Sequence, residues 1–256
     1  MAMLTATFVL AGMGAGASAW AGQVAGVVVN LSGPLLDRKL DGTTRVLGVK
    51  SEIESGDTLV TEKNTYAQIR FIDNGDITLR PGTTFKVEDF AYESGKPEAD
   101  SASFSLIKGG LRSITGLLGK RNKEKFLLKT PTATIGIRGT TFIAQYVEEP
   151  AAGAPAAGAP AGMRGPAALA PGLHVTVTDG AIVVRNGGGM QGIVAGQFGF
   201  VPGINLPPVL VPPNPGVQFT PPPTFGNGPA TITPGATPAA NGNAQAQQQG
   251  PDCVVR

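Results

Sequence analysis

Short apolar runs separated by turn residues, with little helical spacing, set the rhythm of this 256-residue chain. Gln23 to Leu31 holds a β-branched run closed by Gly33-Pro34, which predicts a strand followed by a turn. In the stretch from Val46 to Val60, Ser55-Gly56-Asp57 marks a turn before another short strand at Thr58-Leu59-Val60. Tyr66 to Phe71 alternates polar with apolar positions, Asp73-Asn74-Gly75-Asp76 interrupts it, and Ile77-Thr78-Leu79 resumes it. An Asn-Gly pair between alternating runs predicts a hairpin in which both central residues take positive φ. Thr84 to Phe90 alternates again, with Phe85, Val87 and Phe90 as its apolar set. The charged and polar stretch Ala91 to Ser101 is expected to be an exposed loop. Ser103 to Ile107 is expected as a strand that ends at Gly109-Gly110, opening Leu111 to Leu118, the one place where a helical turn is expected.

Further strands are predicted at Phe126 to Lys129, Ala133 to Ile137 and Thr141 to Val147, separated by Thr130-Pro131 and Arg138-Gly139. Residues 150–172 break the pattern with a near-repeat of Ala-Ala-Gly-Ala-Pro, too poor in apolar bulk to pack, and read as a flexible insertion. Strand signal returns at Leu173 to Val177, turns at Asp179-Gly180, continues through Ala181 to Val184, and closes at Ile193 to Val201 around Gly196-Gln197. From Pro202 to Pro238 there are twelve prolines, and no charge follows Pro202 until Asp252, so residues 203–256 are expected to be a disordered, partly polyproline tail. The expected fold is all-β, a layered sandwich or a short solenoid-like roll of short strands. One domain of residues 22–202 is expected to carry it.

Composition sharpens this reading. Gly 37 and Pro 22, with charged residues at 15% and aromatics at 6%, favour turns and strands over helices. A formal charge of +2 lacks the footprint of a dedicated nucleic-acid binder. Residues 1–21 are uncharged, with an apolar run at Leu4 to Leu10 and small residues around Ala19 and Ala21. That layout predicts a cleavable secretory signal, the run being shorter than the ~20 residues a spanning helix needs. No transmembrane helix is expected after cleavage, and an exported chain is expected in the periplasm or cell envelope.

The order of these segments resembles the FecR domain family, named for the periplasmic part of iron-transport signalling regulators. The resemblance is most specific from Lys129 to Phe142, where Thr130-Pro131, Gly136, Ile137-Arg138-Gly139-Thr140 match the family's Thr-Pro and Arg-Gly-Thr pattern. Supporting pieces are Gly56-Asp57, Asp73-Asn74-Gly75, Leu79-Arg80-Pro81-Gly82, Gly109-Gly110-Leu111-Arg112 and Ala195-Gly196-Gln197, giving an expected span from Gly22 to about Pro202. Family regulators carry a cytoplasmic anti-sigma segment and a membrane helix ahead of this domain. The sequence is expected to be of a standalone, signal-bearing kind without them. The resemblance implies a non-enzymatic interaction or signalling module with no cofactor.

Side-chain chemistry agrees. His174 is the single histidine and Cys253 the single cysteine, so neither a histidine-based triad nor a cysteine- or histidine-rich metal site assembles from this chain. His174 is expected on a strand surface, and Asp73 and Asp76 are expected to serve the turn they flank. Arg138 is expected to be at least half-buried, paired with Asp57, Asp73 or Asp76 or with backbone carbonyls; an alternative has it facing a partner. Lys108, Arg112, Lys120, Arg121, Lys123, Lys125 and Lys129 are opposed within their run only by Glu124, and form a candidate basic surface or a solvated loop. The expected partner is another envelope protein or cell-wall polymer, not nucleic acid. A second reading makes the chain a structural wall- or surface-associated protein with its Pro-rich tail as spacer.

Overall fold

The computed structural model describes residues 22–149 and 169–217, together with Phe219, Pro222 and Phe225. The expected signal, most of the insertion, and the tail from 226 onward with Cys253 lie outside the described residues.

Two layers of antiparallel strands share one apolar core, which fixes the all-β class. The first layer runs, in spatial order, β4 (Glu52–Glu54), β1 (Val24–Leu31), β6 (Ala67–Phe71), β7 (Asp76–Leu79), β9 (Ser101–Ile114), β12 (Thr141–Val147), β13 (Gly172–Asp179), β16 (Phe198–Val201) and β17 (Val209–Val211). The second runs β3 (Thr44–Leu47), β2 (Leu35–Arg38), β5 (Thr58–Thr61), β8 (Thr84–Ala91), β9 again, β10 (Phe126–Lys129), β11 (Thr134–Ile137), β14 (Ala181–Asn186) and β15 (Gly189–Val194). Chain order and spatial order nearly coincide in both layers, so the chain climbs the molecule while passing from one layer to the other, as in a short roll. Neither layer closes. Among the described residues the β9–β10 pair is the parallel one.

Alternation explains the core. Phe85, Val87, Phe104, Leu106, Ile69 and Phe71 face inward and are buried, while their strand neighbours are not. Phe104 sits at the centre, with ring centroids 5.2 Å from Phe71 of the opposite layer, 5.5 Å from Phe85 and 5.4 Å from Phe126. Such aromatic clusters join two layers through large buried area and favourable ring geometry.

The strand pattern departs from the sequence reading at several points. Gly109-Gly110 does not end a strand: β9 continues for 14 residues and passes from the second layer to the first at this point. Gly109 takes φ +83°, and a Cβ there would lie 2.6 Å from the Thr83 hydroxyl. That hydroxyl accepts from Gly110 N at 3.0 Å and donates to Gly110 O at 2.9 Å, stitching the crossing to the end of the preceding turn. The helical turn comes later, as α1 (Leu117–Arg121). In the β6–β7 hairpin only Asn74 has positive φ, at 62°, because the connection is a wider turn closed by Phe71 N donating to Gly75 O at 2.8 Å. The ordered chain also continues past Pro202 into β17 and a 3-10 turn at Pro215–Val217.

Candidate functional site

The signature segment is bound into the fold through Thr130 and Thr140. Thr130 closes its own turn, its hydroxyl accepting from Ala133 N at 3.0 Å and donating to Ala133 O at 2.8 Å, so Pro131 leads into β11. Gly139 takes φ +65°, and the buried Thr140 behind it donates its hydroxyl to Ala181 O at 2.6 Å. Thr140 N donates to the Thr115 hydroxyl at 2.9 Å, which in turn donates to Thr140 O at 2.7 Å. Three inter-layer turns are thereby tied at one point. Gly136 lies in regular strand beside open space, and nothing in the structure explains its lack of a side chain.

Arg138 departs from expectation. It is exposed and makes no ion pair among the described residues. The carboxylates expected to hold it are occupied elsewhere. Asp76 pairs with Arg70 at 3.1 Å. The buried Asp73 accepts from Gly75 N at 2.9 Å and Leu118 N at 3.1 Å, joining the hairpin to α1. Its burial pushes the carboxyl above the usual range against the pull of those two N–H groups. Turn chemistry, as expected for Asp73, therefore extends to a second element.

Asp57 belongs to a charge cluster that sequence reasoning missed. Lys39 Nζ lies 2.9 Å from Asp57 Oδ1 and 2.9 Å from Glu54 Oε2, while Arg45 Nε donates to Asp37 Oδ2 at 2.7 Å. Asp37 is fully buried, and burial raises its carboxyl above the usual range against the Arg45 hydrogen bond. The signal was present: Asp37 is in phase with Leu35 and so faces inward. Gly56, at φ +97°, makes the adjoining turn. A pocket of about 440 Å³ opens beside Lys39, Glu54 and Asp57, three charges that pair with one another.

Several members of the basic run are paired with carboxylates. Lys108 reaches Glu148 at 3.3 Å and Lys129 pairs with Glu88. Arg121 folds back to Asp100, 2.7 Å from Nε to Oδ2, bonds the carbonyls of Glu93 and Ser94, and lies over the Tyr92 ring. It pins the 91–100 loop, whose Asp100 is buried, not exposed as expected of that stretch. Arg112 is half-buried, leaving Lys120, Lys123 and Lys125 exposed.

The layer edges differ in chemistry. At one end β3 presents Arg45 and β4 presents Glu52 and Glu54, charges that disfavour pairing with a further strand. At the other end β15 (Gly-Met-Gln-Gly-Ile-Val) and β17 (Val-Leu-Val) are uncharged edges. There Met190, Val194, Ile204, Leu206, Val209 and Leu210 are all exposed, Met190 at 68%.

Residues 57–155 match the family model described as FecR protein, narrower than the span expected from the sequence. The likeness to the FecR family is thus shown for residues 57–155. Among solved structures, one titled "Cell surface anchoring domain" is 25% identical with a TM-score of 0.24, over 25% of this chain and 83% of that one. Two crystal structures of a "putative anti-sigma factor" from Parabacteroides distasonis ATCC 8503 are 12% and 13% identical, with TM-scores of 0.42 and 0.43 over 61% of this chain. The chain spans 60% of the length of those two proteins. A search of curated proteins finds no match. The FecR match covers Asp57, Asp73, the Thr83–Gly110 stitch and the whole signature, whereas both uncharged edges lie beyond it. No helix among the described residues is long and apolar enough to cross a membrane.

Proposed function

We propose that this FecR domain is a non-enzymatic interaction module of the cell envelope that docks an extended strand of another envelope protein on the uncharged edges β15 and β17. The FecR match at residues 57–155 supports a signalling or regulatory role. The observation that carries the docking mode is the contrast between the two ends of the roll: charged edges at β3 and β4, apolar and uncharged ones at β15 and β17. Strand addition draws affinity from main-chain hydrogen bonds and specificity from alternate side chains. β17 offers Val209 and Leu210, 43% and 46% exposed, on either side of such an edge.

Cross-linking in living cells followed by affinity capture tests this. The unaltered chain is expected to retain one envelope protein, and Leu210→Lys together with Val194→Lys to lose it while the thermal melt stays in place. Capture that survives both substitutions, or that yields only wall polymer, would remove the docking mode and favour the spacer reading.

A further inference from the structure

The outer face of the first layer is covered by the chain itself. Leu173, Val175 and Val177 of β13 face the core, so His174 and Thr176 face outward, yet these two are only 6% and 7% exposed. Ile143 of β12 is likewise 7% exposed. His174 was expected on the surface; instead it stacks on Phe200 at 4.6 Å, with Nε2 2.8 Å from Ala170 O. What covers this face follows β17. Val217, 2% exposed, ends a 3-10 turn that packs on β12 and β13, and Asn214 Oδ1 holds that turn by accepting from Gly216 N at 2.9 Å. Phe219 then meets Tyr66 edge-on at 6.0 Å and lies 6.0 Å from the Arg80 guanidinium, which Gln145 fixes at 2.5 Å. Phe225 meets the same Tyr66 at 6.3 Å. The cover therefore crosses the strands from β16 to the start of β6. Beside it runs an apolar groove of about 530 Å³, lined by His174, Phe198, Phe200, Val211, Pro212 and Val217.

We propose that this face is a docking track for uncharged, proline-rich segments bearing spaced phenylalanines, and that the chain's own stretch through Val217, Phe219 and Phe225 occupies it in cis. Proline-rich segments have φ fixed at each proline ring and so lose less entropy on binding, and aromatic-lined grooves are what they dock on. Here Tyr66, His174 and Phe200 supply the rings and Arg80 supplies a cation for the face of a phenyl group. The occupant fits in charge as well, because no charged residue lies between Pro202 and Asp252. This inference deepens the interaction reading by naming a second partner class, on a surface other than the β15 and β17 edges.

A fluorescent synthetic peptide of residues 207–226 tests it on the full chain by polarisation. A tethered occupant competes at high effective concentration, so Phe219→Ala with Phe225→Ala in the chain is expected to raise peptide affinity by at least about tenfold over the unaltered chain. Replacing both phenylalanines in the peptide by alanine is expected to abolish binding, a control that leaves the protein's fold untouched. Adding Arg80→Ala to the double variant is expected to weaken it. Equal affinity for the unaltered and double-variant chains, no binding to either, or indifference to the phenylalanines of the peptide would each overturn the proposal. Failure here with capture at β15 and β17 intact would leave the proposed function standing; the reverse pattern would leave only this face.

Discussion

Asp73 does more than turn a hairpin, and its removal should show it. Asp73→Ala leaves the N–H groups of Gly75 and Leu118 without their acceptor in a buried site, at an expected cost of about 2 kcal/mol or more. Urea denaturation measures it. Four of the perturbed carboxylates also set opposing pH dependences. Burial raises Asp37 and Asp73 above their ordinary 3.8, so the folded state binds those protons more tightly than the unfolded chain, and stability gains as pH falls through the raised values. Arg121 lowers Asp100 below 3.8 and Lys129 lowers Glu88 below 4.5, so their contributions hold above those ordinary values and are lost as pH falls through the depressed ones. Asp37→Asn is expected to flatten the gain on mild acidification, and Arg121→Ala to flatten the loss at lower pH, both read from urea midpoints across an acid titration. Residue chemistry was legible in sequence where it was local, as for Asp73 in its turn or Thr130 before Pro131. Arg138 was misjudged because the partners it was assigned are spoken for by Lys39, Arg70 and two backbone amides from other elements.

Among elements, β9 carries the greatest constraint, because one strand serves both layers. Gly109→Ala combines an unfavourable positive φ with a Cβ 2.7 Å from Thr83 Cα, and is expected to destabilise by more than about 1 kcal/mol, seen as a lower melting temperature. A glycine pair reads as a stop in one dimension, and only the second layer reveals it as a corner. Strands β6 and β8 were legible because one face of each is buried and the other is not, which alternation reports directly. β13 hid its environment, since a tail segment from beyond Pro202 buries its outer face as well. β2 went unnoticed because its inward position is filled by Asp37, a residue that alternation counts as polar.

For the whole molecule, the proposed docking edges carry a further prediction. If β15 and β17 are the adhesive end, Leu210→Lys should also improve solubility at high concentration, measured by light scattering, since lysine on an edge strand discourages further pairing. Nearly coincident chain and spatial order has a different consequence, in time rather than in space. Most strands pair with neighbours one to three elements away, so a chain emerging amino end first finds most templates finished before the next strand is due. Nothing in such a roll waits for its last strand to close it. Shortening from the carboxyl end is therefore expected first to uncover the β12–β13 face and then to remove rungs one at a time, leaving a cooperative melt of smaller enthalpy and not a collapsed fold.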